Sequence, residues 1–269
     1  MTWLEVQPED LSEIDVRRPN SARMYDYYLG GSTNFESDRD AARQVIAAMP
    51  DAVTSIRANR SFLARAVRFC VQQGVEQFLD LGSGVPTVGN VHEVARWLDP
   101  RARVAYVDNE PVAVAHGRHL LRNVERTTVT EADLRDIDRV LTADGVTQLL
   151  DFDRPIAVLM VSVLNFVEDD DVAREVVRRY TEPLVPGSFL ALSHVTPESV
   201  PPEVAGRVAE LYRNANPPSF WRSPAQISAL LEGFDLVPPG LVTPSQWHPD
   251  GDQEAEPAQV AYLAGVAEI

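Results

Sequence analysis

The stretch from Gln77 to Thr87 constrains the fold more than any other part of this 269-residue chain. A short run whose apolar residues are Phe78, Leu79 and Leu81 ends abruptly at two glycines. This pattern is typical of a buried parallel strand that delivers the chain to a ligand at its carboxyl end. Gly82 and Gly84 carry no Cβ, so the backbone can turn sharply and approach that ligand. With a helix predicted from Val91 to Leu98, the stretch predicts a cofactor loop on a doubly wound α/β sheet.

Acidic residues follow three of the predicted strands. Asp80 stands two residues before the first glycine, where its carboxylate can accept from loop N–H groups or from a ligand ammonium. Asp108 closes the second strand, 24 positions after Gly84, about where an acid bonds ribose hydroxyls. Asp133 follows a Thr- and Val-rich run that is predicted to be the third strand. We therefore expect the three aspartates and the two-glycine turn to form one nucleoside pocket.

The glycine pattern argues against a nicotinamide cofactor. Such a site requires a third glycine or alanine, and this chain has Thr87 there, preceded by Pro86, which lacks an N–H for a pyrophosphate. The chain also lacks a Tyr-x-x-x-Lys pair. An NAD-dependent oxidoreductase is therefore kept only as a lesser alternative.

Composition excludes several other classes. All 24 side chains counted as lysine or arginine are arginine, which excludes Schiff-base enzymes, pyridoxal phosphate enzymes and Walker-type phosphate loops. A net charge of −16 without a basic stripe argues against nucleic acid and anionic membranes as partners. The single Cys70 cannot form an internal disulfide, and no apolar run approaches the ~20 residues of a membrane span. We expect a cytoplasmic protein.

No metal site is predicted. The acidic run Glu168 to Asp171 precedes a helical pattern, and acids are favourable at a helix N-terminus. His116 and His119 share a helix flank but have no third ligand nearby.

Five segments resemble known sequences more closely than these patterns require. The segments are Pro19 to Gly31, Asn59 to Phe62, Phe78 to Thr87, Tyr106 to Asn109 and Leu190 to His194. They resemble an actinobacterial methyltransferase-like family of unassigned substrate. More broadly, Asp80 to Gly84, Asp108 and Ala132 to Arg135 resemble the motif series of class I S-adenosylmethionine-dependent methyltransferases. The resemblance implies a Rossmann-like, mostly parallel seven-stranded sheet, S-adenosylmethionine as cofactor, and methyl transfer to a small-molecule acceptor. A non-catalytic, regulatory S-adenosylmethionine-binding protein is the alternative.

The resemblance also implies roles for individual residues. Gly82, Ser83 and Gly84 would face the methionine end of the cofactor, with Asp80 beneath them. Ribose would meet Asp108, and adenine would meet Asp133 and Leu134. The remaining candidates are Asn109, Ser162, Asn165, Asn34 and Arg60 for the cofactor, and Tyr25, Tyr28 and His194 for the acceptor. The resemblance leads us to expect histidine where this chain has Asn165, so a proton-transfer role is not expected there, although an asparagine can still hydrogen-bond a ligand.

The region before the first strand is predicted to be helical. Residues 1–74 would form an N-terminal helical extension that acts as a lid, and residues 75–269 would form the S-adenosylmethionine-binding domain. The alternative is that these helices cover a sheet edge or make a homodimer contact. Residues 1–18 are expected to be partly disordered, and Thr243 to Pro257 is expected to be a mobile hairpin loop.

Overall fold

One mixed sheet forms the centre of the computed structural model, which describes residues 15–86, 89–251 and 260–269. Its strands are β1 (Gln77–Leu81), β2 (Arg103–Asp108), β3 (Thr127–Glu131), β4 (Ala157–Val161), β5 (Phe189–Val195), β6 (Asp235–Leu236) and β7 (Tyr262–Glu268). Their order across the sheet is β3-β2-β1-β4-β5-β7-β6. β1 to β5 are parallel, and β7 runs antiparallel to both β5 and β6. The predicted fold class, a doubly wound and mostly parallel seven-stranded sheet, is confirmed.

Alternation along the strands builds a core on each face of the sheet. In β1, Leu79 and Leu81 pack into one apolar cluster, whereas Phe78 packs into the other. This follows from the two-residue period of a strand, which sends successive side chains to opposite faces. Asp80 therefore shares a face with Phe78, toward the helix that precedes the sheet.

Helices cover both faces of the sheet. They are α1 (Ser21–Tyr28), α2 (Glu36–Ala48), α3 (Ala52–Gln72), α4 (Val91–Leu98), α5 (Pro111–Leu121), α6 (Ile137–Leu141), α7 (Asp144–Thr147), α8 (Asp170–Thr181), α9 (Pro202–Arg213) and α10 (Pro224–Ala229). The side chain of Asp169 accepts from the backbone N–H groups of Asp171 and Val172 at the start of α8. The acidic run thus begins a helix, as predicted. The short helices α6 and α7 were not predicted.

The three N-terminal helices occupy two positions. α3 packs its apolar face, which includes Phe62 and Val67, against the sheet. α1 and α2 pack with α9 around a third apolar cluster that contains Met24 and Val208. The predicted division of the chain at residue 74 falls between α3 and β1, and the role of these helices as a lid stays a prediction.

The C-terminal loop is better anchored than the sequence indicates. The side chain of Trp247 is fully buried, and its ring contacts Phe62 edge to face with centroids 5.4 Å apart. Arg65 of α3 donates to the backbone oxygens of Trp247 (2.8 Å) and Pro244 (2.6 Å). The prediction of a mobile loop is therefore wrong for residues 243–251. Residues 252–257 of that loop and residues 1–14 lie outside the described part of the chain.

Within residues 15–86, 89–251 and 260–269, no helix combines the length and the apolar character needed to cross a membrane.

Candidate functional site

A cavity of about 460 Å³ lies at the carboxyl ends of β1, β2, β3 and β4, beside α1. Its wall contains most of the residues that the sequence analysis assigned to the site. They are Tyr25, Arg60, Asp80, Gly82, Ser83, Gly84, Asp108, Asn109, Asp133, Leu134, Ser162 and Asn165. These residues come from six separate segments of the chain. Four of the segments are strand ends with the turns that follow them, which the parallel sheet brings together at one edge, and the other two are helices.

The glycine turn after β1 is held in place by its neighbours. Gly82 and Gly84 have positive φ angles of 72° and 65°, a region that L residues with a Cβ rarely occupy. A Cβ on Gly82 would lie 2.2 Å from Cγ2 of Val163, whereas a Cβ on Gly84 would meet nothing within 4 Å. Gly82 is therefore needed for packing, and Gly84 leaves room beside the turn.

Asp108 fixes the turn from the neighbouring strand. Its Oδ2 accepts from the backbone N–H of Gly84 at 2.7 Å, and its Oδ1 accepts from that of Glu110 at 2.8 Å. The carboxylate is 8% exposed, and burial raises its pKa against the lowering effect of these backbone hydrogen bonds. Each carboxylate oxygen has a second lone pair, so both can still accept from a ligand hydroxyl.

Asp80 lies deeper in the same wall. Burial raises the pKa of its carboxyl to about 7, the Arg60 guanidinium lowers it, and the charge of Asp108 raises it further. Arg60, on α3, also donates to the backbone oxygen of Gly89 at 3.1 Å. The Asp80 carboxyl group therefore loses its proton near neutral pH. Because it lies on the cavity wall, it would contact a cationic ligand bound there.

Asp133 serves two purposes at the end of β3. Its Oδ1 accepts from the backbone N–H of Arg135 at 2.8 Å, so it closes the turn that follows the strand. The Arg135 side chain also binds it at 2.6 Å and, as the largest cause, lowers the pKa of the carboxyl. Leu134 follows it on the cavity wall, fixed by a hydrogen bond from the Tyr180 hydroxyl to its backbone oxygen at 2.9 Å. A carboxylate next to a leucine suits a flat base with an exocyclic amino group.

Ser162 and Asn165 follow β4. Ser162 Oγ lies 3.3 Å from Asn165 Oδ1 and 3.3 Å from the hydroxyl of Tyr262. Asn165 Nδ2 donates to Ser219 Oγ at 3.3 Å, and its backbone oxygen accepts from the N–H of Phe220 at 2.7 Å. Asn165 therefore joins the end of β4 to the segment after α9, which forms another part of the wall.

Three predicted site residues, Tyr28, Asn34 and His194, lie away from the cavity wall, and the first two are held by their own partners. The Tyr28 hydroxyl accepts from that of Tyr212 at 3.4 Å, within the packing of α1 against α9. Asn34 donates to Asp26 Oδ2 at 2.7 Å and so fixes the loop between α1 and α2. Neither contacts the cavity, because each is turned toward its own structural partner.

The position predicted for His194 is also corrected. β5 does not end there but continues to Val195, and the His194 side chain is fully buried. Its Nδ1 donates to the backbone oxygen of Val195 at 2.8 Å, and its Nε2 accepts from the Arg222 guanidinium at 2.8 Å. Burial lowers the pKa of the imidazole to about 4, and the Arg222 charge adds to this. His194 is therefore a neutral part of the core rather than a base for the acceptor.

Several residues of the wall were not predicted. In and just after α1, the predicted Tyr25 is joined on the cavity wall by Ala22, Asp26 and Leu29, which share its helical face. Asp26 Oδ2 accepts from Thr33 N and from Asn34, while its buried Oδ1 has no partner among the described residues. Asp26 could have been identified from the sequence, because it is next to Tyr25 in the predicted helix and four residues after Ala22.

Two further residues of the wall, Tyr212 on α9 and Tyr262 on β7, were also missed. Nothing in their local sequence marks them, because only the packing of distant segments brings them to the cavity.

Glu110 has a role that its position did not reveal. The sequence suggests either a helix cap or a ribose contact, but its carboxylate instead binds Arg23 Nη1 at 3.0 Å and accepts from Asn20 Nδ2 at 2.7 Å. Arg23 is itself buried and bonded to Asp38 at 2.8 Å. These contacts fasten the start of α1 to the loop after β2.

The cavity wall carries an excess of negative charge. Among the described residues that line it, six are carboxylates and two are guanidiniums: Asp26, Asp80, Asp108, Glu110, Asp133 and Glu168 against Arg60 and Arg135. Arg135 is paired with Asp133. Such a site favours a ligand with positive charge.

Comparison of the sequence with protein families decides what kind of site this is. A model described as S-adenosyl methyltransferase matches residues 7–269, nearly the whole chain. The chain belongs to the S-adenosyl methyltransferase family. The family match removes the NAD-dependent oxidoreductase as a competing interpretation and confirms the resemblance seen in the five sequence segments.

Solved structures agree with the S-adenosyl methyltransferase assignment. A DUF574 family protein from Streptomyces avermitilis MA-4680 is 37% identical, with a TM-score of 0.89 over 94% of this chain and 98% of its own. A protein from Thermobifida fusca YX, described as a candidate methyltransferase, is also 37% identical, with a TM-score of 0.90 over 100% of this chain and 99% of its own. No protein of curated function matches the sequence.

Proposed function

We propose that this chain binds S-adenosylmethionine in the cavity at the ends of β1, β2 and β3 and transfers its methyl group to a small-molecule acceptor. The observation that carries the proposal is the convergence of the glycine turn with Asp80, Asp108 and Asp133 on one cavity wall. Membership in the S-adenosyl methyltransferase family supplies the reaction class.

The residues present fit this cofactor in three respects. S-adenosylmethionine carries a sulfonium and an ammonium, and the wall has more carboxylates than guanidiniums. The orphaned Oδ1 of Asp26 is a buried acceptor that a cationic or hydroxyl-bearing ligand would satisfy. The space beside Gly84, where a Cβ would meet nothing, lies next to the carboxylate of Asp108. Asp108 and Asn109 would hold the ribose, Asp133 and Leu134 the adenine, and Asp80 with the glycine turn the methionine end.

The chemistry asks for positioning more than for acid or base catalysis. When bound, the sulfonium supplies an already electrophilic methyl group. The chain's own residues have to orient the acceptor toward it and exclude water. α1 covers the cavity and contributes four residues of one helical face, and the buried contacts of Arg23 and Glu110 hold it there.

A non-catalytic cofactor-binding protein is the second candidate. One observation favours it: His194 is buried in contact with Arg222 and so is not available as a base. The resemblance, which leads us to expect histidine where this chain has Asn165, points the same way. Incubation with labelled methyl donor and cell extract separates the candidates. Label on a component of the extract supports methyl transfer, and its persistent absence supports a binding protein.

Calorimetry tests the cofactor assignment. We expect S-adenosylmethionine and its demethylated product to bind with one-to-one stoichiometry and NAD not to bind. Asp108→Ala is expected to weaken binding by roughly ten- to a hundredfold, because it removes hydrogen bonds to a charged group. Asp138→Ala, a matched change at an exposed aspartate outside the cavity, is the control. Binding of NAD alone would overturn the proposal.

A further inference from the structure

Three tyrosines from distant parts of the chain meet on one side of the cavity. Tyr25 comes from α1, Tyr212 from α9 and Tyr262 from β7, and all three line the wall. Tyr262 belongs to the third apolar cluster, and Tyr25 and Tyr212 pack against that cluster, so the three rings meet beside the same part of the cavity. We call these three residues the tyrosine cluster.

The hydroxyl groups of the tyrosine cluster are only weakly engaged. Tyr25 donates to the backbone oxygen of Ile56 at 3.4 Å and accepts from Asn59 Nδ2 at 3.2 Å, and Tyr212 donates to the Tyr28 hydroxyl at 3.4 Å. Tyr262 Oη accepts from Ser162 Oγ at 3.3 Å. Hydrogen bonds between two oxygens are usually 2.7–2.8 Å long and weaken as they lengthen. A ligand oxygen placed among the three hydroxyls would therefore offer a better acceptor than their present partners.

The tyrosine cluster is electrically unlike the rest of the cavity. Burial raises the pKa of the Tyr212 and Tyr262 hydroxyls well above its ordinary value, and the other groups that act on them are neighbouring tyrosines and Ser162. These two hydroxyls therefore stay protonated and act as neutral donors. None of the groups that act on Tyr212 and Tyr262 is a carboxylate, so an ammonium buried directly beside these two hydroxyls would lack a partner there, which is costly. An oxygen anion, in contrast, would receive hydrogen bonds from several donors, which are stronger when the acceptor is charged.

The walls around the tyrosine cluster are apolar. Met49, Ile56, Val195, Val208 and Ala261 line the same cavity. Their side chains belong to or pack against the apolar cluster formed by α1, α2 and α9. Aliphatic and aromatic walls of this kind suit a flat ring and offer little to a strongly hydrated ligand.

We propose that the methyl acceptor is a planar aromatic compound with an ionisable hydroxyl group, bound as the phenolate with its oxygen among the hydroxyls of Tyr25, Tyr212 and Tyr262. This inference rests on the proposed function. The phenol loses its proton to bulk water before it binds, so the cavity needs no base. A bond then forms between the phenolate oxygen and the methyl carbon as the carbon–sulfur bond breaks, and the sulfur keeps the electron pair. An anion and a sulfonium give a neutral ether and a neutral thioether, so charge balances.

A pair of isosteric probes tests the acceptor class. The protein is first saturated with S-adenosylhomocysteine, and 4-nitrophenol or 4-nitroaniline is then titrated into it. We expect 4-nitrophenol to bind saturably, with a shift of its phenolate absorption band, and 4-nitroaniline to bind at least about tenfold more weakly. With S-adenosylmethionine in place of the product, 4-nitrophenol is expected to be methylated and its phenolate absorption lost.

Removal of single hydroxyls tests the residues. Tyr212→Phe and Tyr262→Phe are each expected to weaken 4-nitrophenol binding by roughly tenfold and to leave 4-nitroaniline binding unchanged. Tyr27→Phe is the matched control, because Tyr27 lies on α1 but does not line the cavity. Binding of S-adenosylhomocysteine reports whether each variant is folded, and if a variant loses it, the preference of the wild-type protein between the two probes decides.

The outcomes separate this inference from the proposed function. Failure of S-adenosylhomocysteine to bind the wild-type protein would overturn both. Normal binding of S-adenosylhomocysteine together with equal binding of the two probes, no probe binding, or no effect of the Phe variants would overturn the phenolate acceptor alone.

Discussion

The cavity has two unlike regions, and the contrast between them indicates which kind of ligand each region suits. The carboxylate region, at the ends of β1, β2 and β3, contains Asp80, Asp108 and Asp133 around a glycine turn. The tyrosine cluster lies on α1, α9 and β7. Charge dominates the first region and neutral hydroxyls the second. A permanently cationic donor and a flat, weakly acidic acceptor would each find a suitable region without a catalytic base between them.

The two regions also differ in how tightly they are built. Around the carboxylate region, charged contacts such as Arg23 to Glu110 at 3.0 Å fasten the start of α1 to the loop after β2. In the tyrosine cluster the oxygen–oxygen contacts are 3.3–3.4 Å long. A rigid donor site next to a more yielding acceptor site follows from this difference.

The largest expected effect tests the rigidity of the carboxylate region. Arg23→Ala leaves the buried carboxylate of Asp38 and the largely buried carboxylate of Glu110 without their cationic partner. We expect the free energy of unfolding to fall by about 3–5 kcal/mol, as measured by urea denaturation. Arg43→Ala, at an exposed ion pair with Asp40, is the control and should cost less than about 1 kcal/mol. Similar losses in the two variants would contradict the comparison.

The next effect separates the two glycines of the turn. Gly82→Ala forces a Cβ against Val163 at a positive φ, and we expect it to cost about 2–4 kcal/mol. Gly84→Ala has the same kind of backbone strain but open space, so it should cost only about 1–2 kcal/mol. Urea denaturation of both variants measures the difference. Equal losses would show that packing against Val163 is not what selects glycine at residue 82.

The pH dependence of stability and of cofactor binding tests the difference in charge between the two regions. The pKa of Asp80 is raised to about 7 in the folded chain, so the folded state holds this proton more tightly than the unfolded state does. Its contribution to stability is therefore full below its ordinary pKa and is lost as pH rises through about 7. Affinity for the cationic donor changes in the opposite direction, because only the ionised carboxylate attracts it.

We expect S-adenosylmethionine to bind up to roughly tenfold more tightly at pH 8 than at pH 6, with release of a proton. Calorimetry in buffers of different ionisation enthalpy measures both quantities. In Asp80→Asn this dependence should vanish. A pH dependence that survives the substitution would assign the proton to another group.

The smallest effect concerns the stability of the tyrosine cluster. Tyr262→Phe removes one contact of 3.3 Å to Ser162 and keeps the ring. We expect the free energy of unfolding to change by less than about 1 kcal/mol, at the low end of the range for a hydrogen bond. A thermal unfolding scan of the variant and the wild-type protein measures this change. A loss as large as that of Arg23→Ala would mean that the hydroxyl is structural rather than available to a ligand.

The contrast between the regions also explains what the sequence could reveal. Asp80 lies near the end of β1, Asp108 is the last residue of β2, and Asp133 comes two residues after β3. Local pattern alone therefore predicts both the strand and the end at which each carboxylate lies. Tyr212 and Tyr262 carry no such mark, because their proximity to Tyr25 depends on how α9 and β7 pack. The donor side was therefore predictable, and only one of the three tyrosines that line the other side was.

Two errors have one physical cause. His194 looked like a strand end because the apolar run stops there, yet β5 continues and the buried Arg222 guanidinium satisfies the imidazole. The segment around Trp247 looked mobile because it is rich in proline and polar residues, yet the buried indole and Arg65 anchor it. In both cases a partner far away in the sequence supplies the contact that the local pattern lacks.

The tyrosine cluster is assembled from three segments that do not include the strand ends of β1, β2 and β3. Substitutions in α9 or β7 can therefore change the surroundings of the proposed acceptor without changing those of the cofactor. We expect proteins that descend from an ancestor with this architecture to differ in their acceptor compound well before they differ in their methyl donor.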